Sequence, residues 1–166
     1  MKINLFILLF ASLIGCEQCE DDLTELEKLP PATQEGKNTF GCLVNGKAWV
    51  TKTSIDARSF YQAGILSIGA ALIEKKVNQG MGFIIEDTNL KVGVYKLDGS
   101  PSQYGVFGDG KTGCNYTVTE GNGELVITNL EQTHFVISAT FWMTLYEPDC
   151  DTIKITDGRF DIHYAP

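Results

Sequence analysis

The sequence predicts an all-β domain: an antiparallel β-sandwich of about nine or ten strands, with a closed or half-open β-barrel as the alternative. Three observations carry this. In "HFVISATFWMTLY", residues 134–146, the positions Phe135, Ile137, Ala139, Phe141, Met143 and Leu145 alternate with Val136, Ser138, Thr140, Trp142, Thr144 and Tyr146, the period of a long strand with one buried face. In "FGCLVNGKAWV", residues 40–50, Asn45-Gly46 separates two apolar runs, and both residues tolerate the positive φ that a tight hairpin turn needs. Turn residues recur at Asn78-Gln79-Gly80, Asp98-Gly99-Ser100-Pro101, Asp109-Gly110, Gly121-Asn122-Gly123 and Asp157-Gly158, between short runs rich in Val, Ile, Thr and aromatics. No segment after residue 40 keeps a helical period. Pattern alone does not separate a sandwich from a barrel, because either buries one face of each strand.

The chain opens with "MKINLFILLFASLIGC". Lys2 precedes an apolar run from Ile3 to Ile14, broken by Asn4 and Ser12. The run is short of the roughly 20 residues a membrane helix needs, and matches the apolar core of a signal peptide. Residues 1–15 are therefore expected to be a cleaved leader. Leu13-Ile14-Gly15-Cys16 resembles the lipobox of bacterial lipoproteins, which implies lipid attachment at Cys16 and a membrane as the first partner. Two or three acyl chains, at about 0.8 kcal/mol per buried methylene, make such an anchor durable. Cys16 and Cys19 have C-x-x-C spacing, but no strand-to-helix context or second ligand pair supports a redox or zinc reading.

Residues 16–39 read as a lipidated cysteine followed by an acidic, Pro-containing linker. From Glu17 to Lys28 there are six acids and one base, so over half of the chain's excess negative charge sits there. The acids Glu20, Asp21 and Asp22 resemble surface-export signals of certain Gram-negative lipoproteins, and read equally as a solvated tether. Leu23, Leu26 and Leu29 allow one short helical stretch. The whole chain carries a net charge of −8, and no basic patch suggests nucleic acid. The expected location is the outer membrane, lipid-anchored, on the periplasmic or surface face.

Residues 40–166 form the expected β domain, of a size for one core. The last strand places Phe160, Ile162 and Tyr164 on one face and Arg159, Asp161 and His163 on the other. In a disulfide-permitting compartment Cys114 and Cys150 are the preferred pair, one opening a strand and one in the loop before another. Cys42 reads as a buried thiol and Cys19 as a tether residue, a Cys19–Cys42 bridge being the alternative.

"LPPATQEGKNTFGCLVNGKAWV", residues 29–50, resembles the opening of a family of small bacterial lipoproteins of uncharacterised function. "ITDGRFDIHY", residues 155–164, resembles that family's closing strand, and "VISATF", residues 136–141, an internal one. The resemblance implies an envelope location and a single domain, and names no ligand.

Catalytic chemistry finds little support. The two histidines, His134 and His163, are outside any H-E-x-x-H or H-x-H spacing, and "GILSIG" places Ser67 one residue away from a nucleophile elbow. Neither a metal nor a cofactor is expected. Glu147, Asp149 and Asp151 lack the ordered spacing of a calcium loop. Arg159, Asp161 and His163 could form a polar site or a solvent-side charge ladder worth under about 1 kcal/mol per pair. Trp142 and Tyr146 lie on the face opposite the core set, where exposed aromatics invite a ligand; Trp49, Tyr61 and Tyr104 are further aromatics of interest. The expected function is a non-enzymatic binding or structural module of the envelope, with a glycan or an envelope protein as partner. A carbohydrate-binding accessory protein predicts Trp142 and Tyr146 uncovered. A small hydrolase predicts a pocket in which His134 or His163 meets Ser, Asp or Glu within hydrogen-bond distance, and a lipid carrier an apolar cavity inside a closed barrel.

Overall fold

A computed structural model describes residues 23–53, 56–74 and 77–166. The expected leader, the anchor Cys16, and Cys19 lie outside the described residues.

The described chain is strand, turn and bend throughout. Ten strands follow in order: β1 (Thr39–Val44), β2 (Lys47–Val50), β3 (Ala57–Gln62), β4 (Ile65–Glu74), β5 (Val77–Glu86), β6 (Gly93–Lys96), β7 (Gln103–Asp109), β8 (Cys114–Glu131), β9 (Val136–Tyr146) and β10 (Ile153–Ala165). Seven of them close a ring in the order β10, β3, β4, β5, β7, β8, β9 and back to β10. All-β thus holds, and of the two expected arrangements the structure takes the barrel and not the sandwich. The reason is the length of β8 and β10, 18 and 13 residues. Each is long enough to hold two neighbours along a single edge. On β8, β7 pairs from Cys114 to Thr117 and β6 from Glu124 to Ile127. On β10, β1 pairs from Ile155 to Asp161, and the parallel contact with β3 at Tyr164 and Ala165 closes the ring.

The interior is filled by the inward set of each strand. Phe83 and Phe141 meet edge to face at 4.8 Å, and Phe40 from β1 contacts Phe141 at 5.3 Å and Phe160 at 5.7 Å. Trp49 of β2 reaches across to Phe107, and its indole N–H donates to Gln79 Oε1 at 3.1 Å. Fully burying such side chains stabilises by about 1.5–3 kcal/mol each. The β9 alternation follows expectation from Ala139 to Leu145; Val136 and Ser138, expected on the partly exposed face, are buried, and Phe135, expected inside, is left partly exposed at φ 56 in the turn before the strand.

Asn45 (φ 48) and Gly46 (φ 79) make the β1–β2 hairpin turn. Three other expected turns fall inside strands. Asn78-Gln79-Gly80 belongs to β5, while Gly121-Asn122-Gly123 and Asp157-Gly158 mark irregularities within β8 and β10. The two irregularities use the same residue chemistry as a turn, Gly121 at φ 77 and Asp157 at φ 54, to admit extra residues without ending the strand.

Residues 23–38 differ from an extended spacer, packing across the outside of β2, β1, β10 and β9 as a strap. Glu25 accepts a 2.7 Å hydrogen bond from the Ala48 N–H, Leu29 is buried, and a Cβ on Gly41 would lie 2.6 Å from Pro30 Cδ. The apolar spacing of Leu23, Leu26 and Leu29 yields hydrogen-bonded turns, with Glu27 N–H donating to Thr24 O and Leu29 N–H to Leu26 O.

Cys114 and Cys150 form a disulfide with Cα atoms 6.4 Å apart. Cys42 is a buried free thiol, and burial pushes its pKa up to about 12.

Candidate ligand groove on the outer face of β9

β9 lies between β8 and β10, and both neighbours bulge opposite the same part of it. Between the pairs Val118↔Leu145 and Gly123↔Met143, β8 advances five residues against two on β9. Between Ile155↔Met143 and Gly158↔Phe141, β10 advances three against two. The surplus residues Thr119–Asn122 on one side and Thr156–Asp157 on the other are solvent-exposed. They flank residues 142–144 of β9, which become the floor of a valley. Bulges commonly re-aim side chains next to binding sites.

On this floor Trp142 is 43% exposed and lines a groove of about 400 Å3 with Ala32, Glu124, Thr140, Asp157 and Arg159. Ala32 comes from the strap, so the strap supplies part of the wall. Gly158 brings the backbone close over Phe141, where a Cβ would run into the ring; the aromatic core therefore also borders the groove. Glu124 is ion-paired with Lys96. Arg159 Nε donates to the Asp157 carbonyl at 3.3 Å, which uses one of its five donors. An indole face, two carboxylates, a guanidinium and a hydroxyl around a shallow open space can hold a ring with apolar faces and polar edges.

Of the five residues expected to face a ligand, Trp142 and Arg159 are brought together. Tyr146 is 54% exposed on the same face of β9, two pleats and about 13 Å further along. Asp161 and His163 are not part of the groove. Asp161 is 1% exposed, roofed by the strap. Its carboxylate accepts from the Thr33 hydroxyl at 2.6 Å, the N–H groups of Glu35, Gly36 and Lys37 at 3.0, 2.8 and 3.1 Å, and the Ser138 hydroxyl at 2.9 Å. Burial alone would raise its pKa, but the Thr33 hydroxyl and the backbone donors outweigh it and bring the carboxyl down to about 2. The expected surface charge ladder is thus a structural latch in its middle rung. His163 N–H donates to Asn38 Oδ1 at 3.1 Å, and its ring lies against Gly36.

The residues named for the hydrolase and carrier readings lie away from the groove. His134 pairs with Glu131 at 2.8 Å on an exposed turn. Ser59 reaches the carbonyl of His163 and not its ring. Among the described residues no cluster of three His, Cys, Asp or Glu side chains is placed to hold a metal, the 147–151 loop included. The barrel centre that a carrier would leave open is occupied by Phe83, Leu97, Phe107, Leu125 and Met143.

The sequence reading missed Glu124, Asp157 and Ala32. A signal for Asp157 exists: Ile153, partly buried against the core, and Ile155 face inward at odd positions, Phe160, Ile162 and Tyr164 at even ones, and such a slip of phase requires an irregularity between them. Nothing local in "PPATQ" announces that Ala32 reaches a groove formed by strands some ninety residues and more away.

A family model described as "Domain of unknown function (DUF6252)" matches residues 37–161. No curated protein and no solved structure matches the chain.

Proposed function

Since the chain belongs to that family of unknown function, we propose that it is a lipid-anchored protein of the bacterial envelope that binds saccharide on the outer face of β9, without catalysing a reaction. The observation that carries the reading is Trp142, exposed in a groove with Glu124, Thr140, Asp157 and Arg159 around it. A pyranose ring presents apolar C–H faces to an indole and hydroxyls to carboxylates and a guanidinium, so this set suits a sugar better than a flat apolar molecule. The anchor rests on the leader and Leu13-Ile14-Gly15-Cys16, and the location proposed with it is the outer membrane, on its periplasmic or surface face.

The test is a glycan array probed with the full chain, purified in detergent, beside Trp142→Ala. Saccharide signals lost in the variant support the reading; equal signals, or none for the wild type, contradict it. Release of reducing ends from a bound glycan would contradict the non-enzymatic part. Radiolabelled palmitate is expected to enter the wild type and not Cys16→Ala, and equal labelling would refute the anchor.

A further inference from the structure

The groove at Trp142 is one end of a longer track. Trp142, Thr144 and Tyr146 project from the same face of β9, the two aromatics 43% and 54% exposed, with Thr144 between them. Four residues of strand separate the aromatics by about 13 Å. That is more than one pyranose ring can cover, and it leaves room for a ring between the two platforms. Both sides of the track are polar: Thr119, Glu120 and Asn122 of the β8 bulge are exposed on one side, Lys154 and Asp157 of β10 on the other. Lys154 pairs directly with Thr144. Asn122 Nδ2 donates to Thr119 Oγ1 at 2.9 Å and to the Glu120 carbonyl.

Resting on the saccharide reading above, we infer that the ligand is a linear oligosaccharide of at least three units, lying along β9 with one ring on Trp142 and another on Tyr146. Trp142 serves the end at the groove. Tyr146 serves a distal unit that a monosaccharide does not reach.

The test is isothermal titration of the full chain in detergent with cello-, chito- and malto-oligosaccharides of one to six units. In the series that binds, affinity should rise to about three or four units and then level off. Tyr146→Ala should lower tetrasaccharide affinity about tenfold while leaving disaccharide affinity unchanged. Trp142→Ala should abolish binding at all lengths, and melting curves of both variants should overlay the wild type, since neither side chain is buried. A plateau at one or two units, or Tyr146→Ala binding tetrasaccharide as the wild type does, overturns the track and leaves the groove standing. Absence of binding at every length in all three series, together with a blank array, overturns both.

Discussion

The Thr33 hydroxyl donates a 2.6 Å hydrogen bond to the Asp161 carboxylate across 128 positions of sequence. This contact joins the strap to the last strand of the barrel. With the N–H groups of Glu35, Gly36 and Lys37 on the same carboxylate, the strap behaves as part of the domain. The family match begins at residue 37, so a protein cut there would lose Thr33, Glu35 and Gly36, and with Ala32 a wall of the groove.

Replacing Asp161 by Ala should therefore destabilise strongly, by about 3 kcal/mol, because a buried set of donors loses its acceptor. The urea midpoint reads this, and an unchanged midpoint would show that the latch contributes nothing. The conservative Asp161→Asn should lose less, retaining one acceptor oxygen.

The same group sets a pH dependence. Its folded pKa, about 2, lies below the ordinary value of 3.8. The stability it contributes is therefore complete above about pH 5 and is lost as pH falls through 4 towards 2, a span of about 2 kcal/mol. Exposed Glu131, also lowered to about 2 by the Thr133 and His134 N–H groups, titrates over the same range. The informative quantity is thus the difference between wild type and Asp161→Asn, which should shrink between pH 5 and pH 2. A difference that stays constant would contradict the assignment.

Gly36 should be intolerant of substitution for two separable reasons. It sits at φ +71, and a Cβ would run into the His163 ring. Gly36→Ala is expected to cost about 2 kcal/mol. Gly36→Ala with His163→Ala, compared with His163→Ala alone, should cost only the backbone part, about 1 kcal/mol. Equal costs in the two backgrounds, read by thermal melts, would mean the ring is not the obstacle.

The disulfide and the buried thiol give opposite reactivities. Replacing both Cys114 and Cys150 by Ser opens a loop whose ends are 36 residues apart, for a loss of about 3 to 4 kcal/mol on the chain-entropy account. Cys42 should resist alkylation in the native state and react on unfolding, since its burial holds the thiol protonated. Rapid labelling of native Cys42, followed by mass spectrometry of its peptide, would contradict its place in the core.

Much of the barrel is written in the alternation of β9 and β10, because a strand with one buried face must repeat every second residue. The inward Phe141, Met143, Leu145, Phe160 and Ile162 follow directly from it. So does the exposure of Trp142 and Tyr146. Ring closure is not written there: it depends on β10 serving β1 and β3 on one edge and on β9 bridging β8 and β10, a long-range choice that leaves the local period unchanged. Asp157-Gly158 and Gly121-Asn122-Gly123 mislead because Asp and Gly supply positive φ equally to a turn and to a bulge. Only the change of phase on either side distinguishes the two. Asp161 misleads for another reason. As a polar side chain on an outward face it should meet water, and it is the strap, arriving from the far end of the chain, that makes it a buried acceptor.

The central claim is that Trp142 is the contact point for saccharide, and the chain's two tryptophans allow it to be tested in a single experiment. In a 15N-labelled sample Trp49, buried with its indole N–H on Gln79, serves as internal reference for Trp142. Titration with the glycan that gives the strongest array signal should move the Trp142 indole cross-peak, with the Trp49 peak stationary and assignment fixed by Trp142→Phe. A glycan that saturates the protein while the Trp142 peak stays in place would contradict the account.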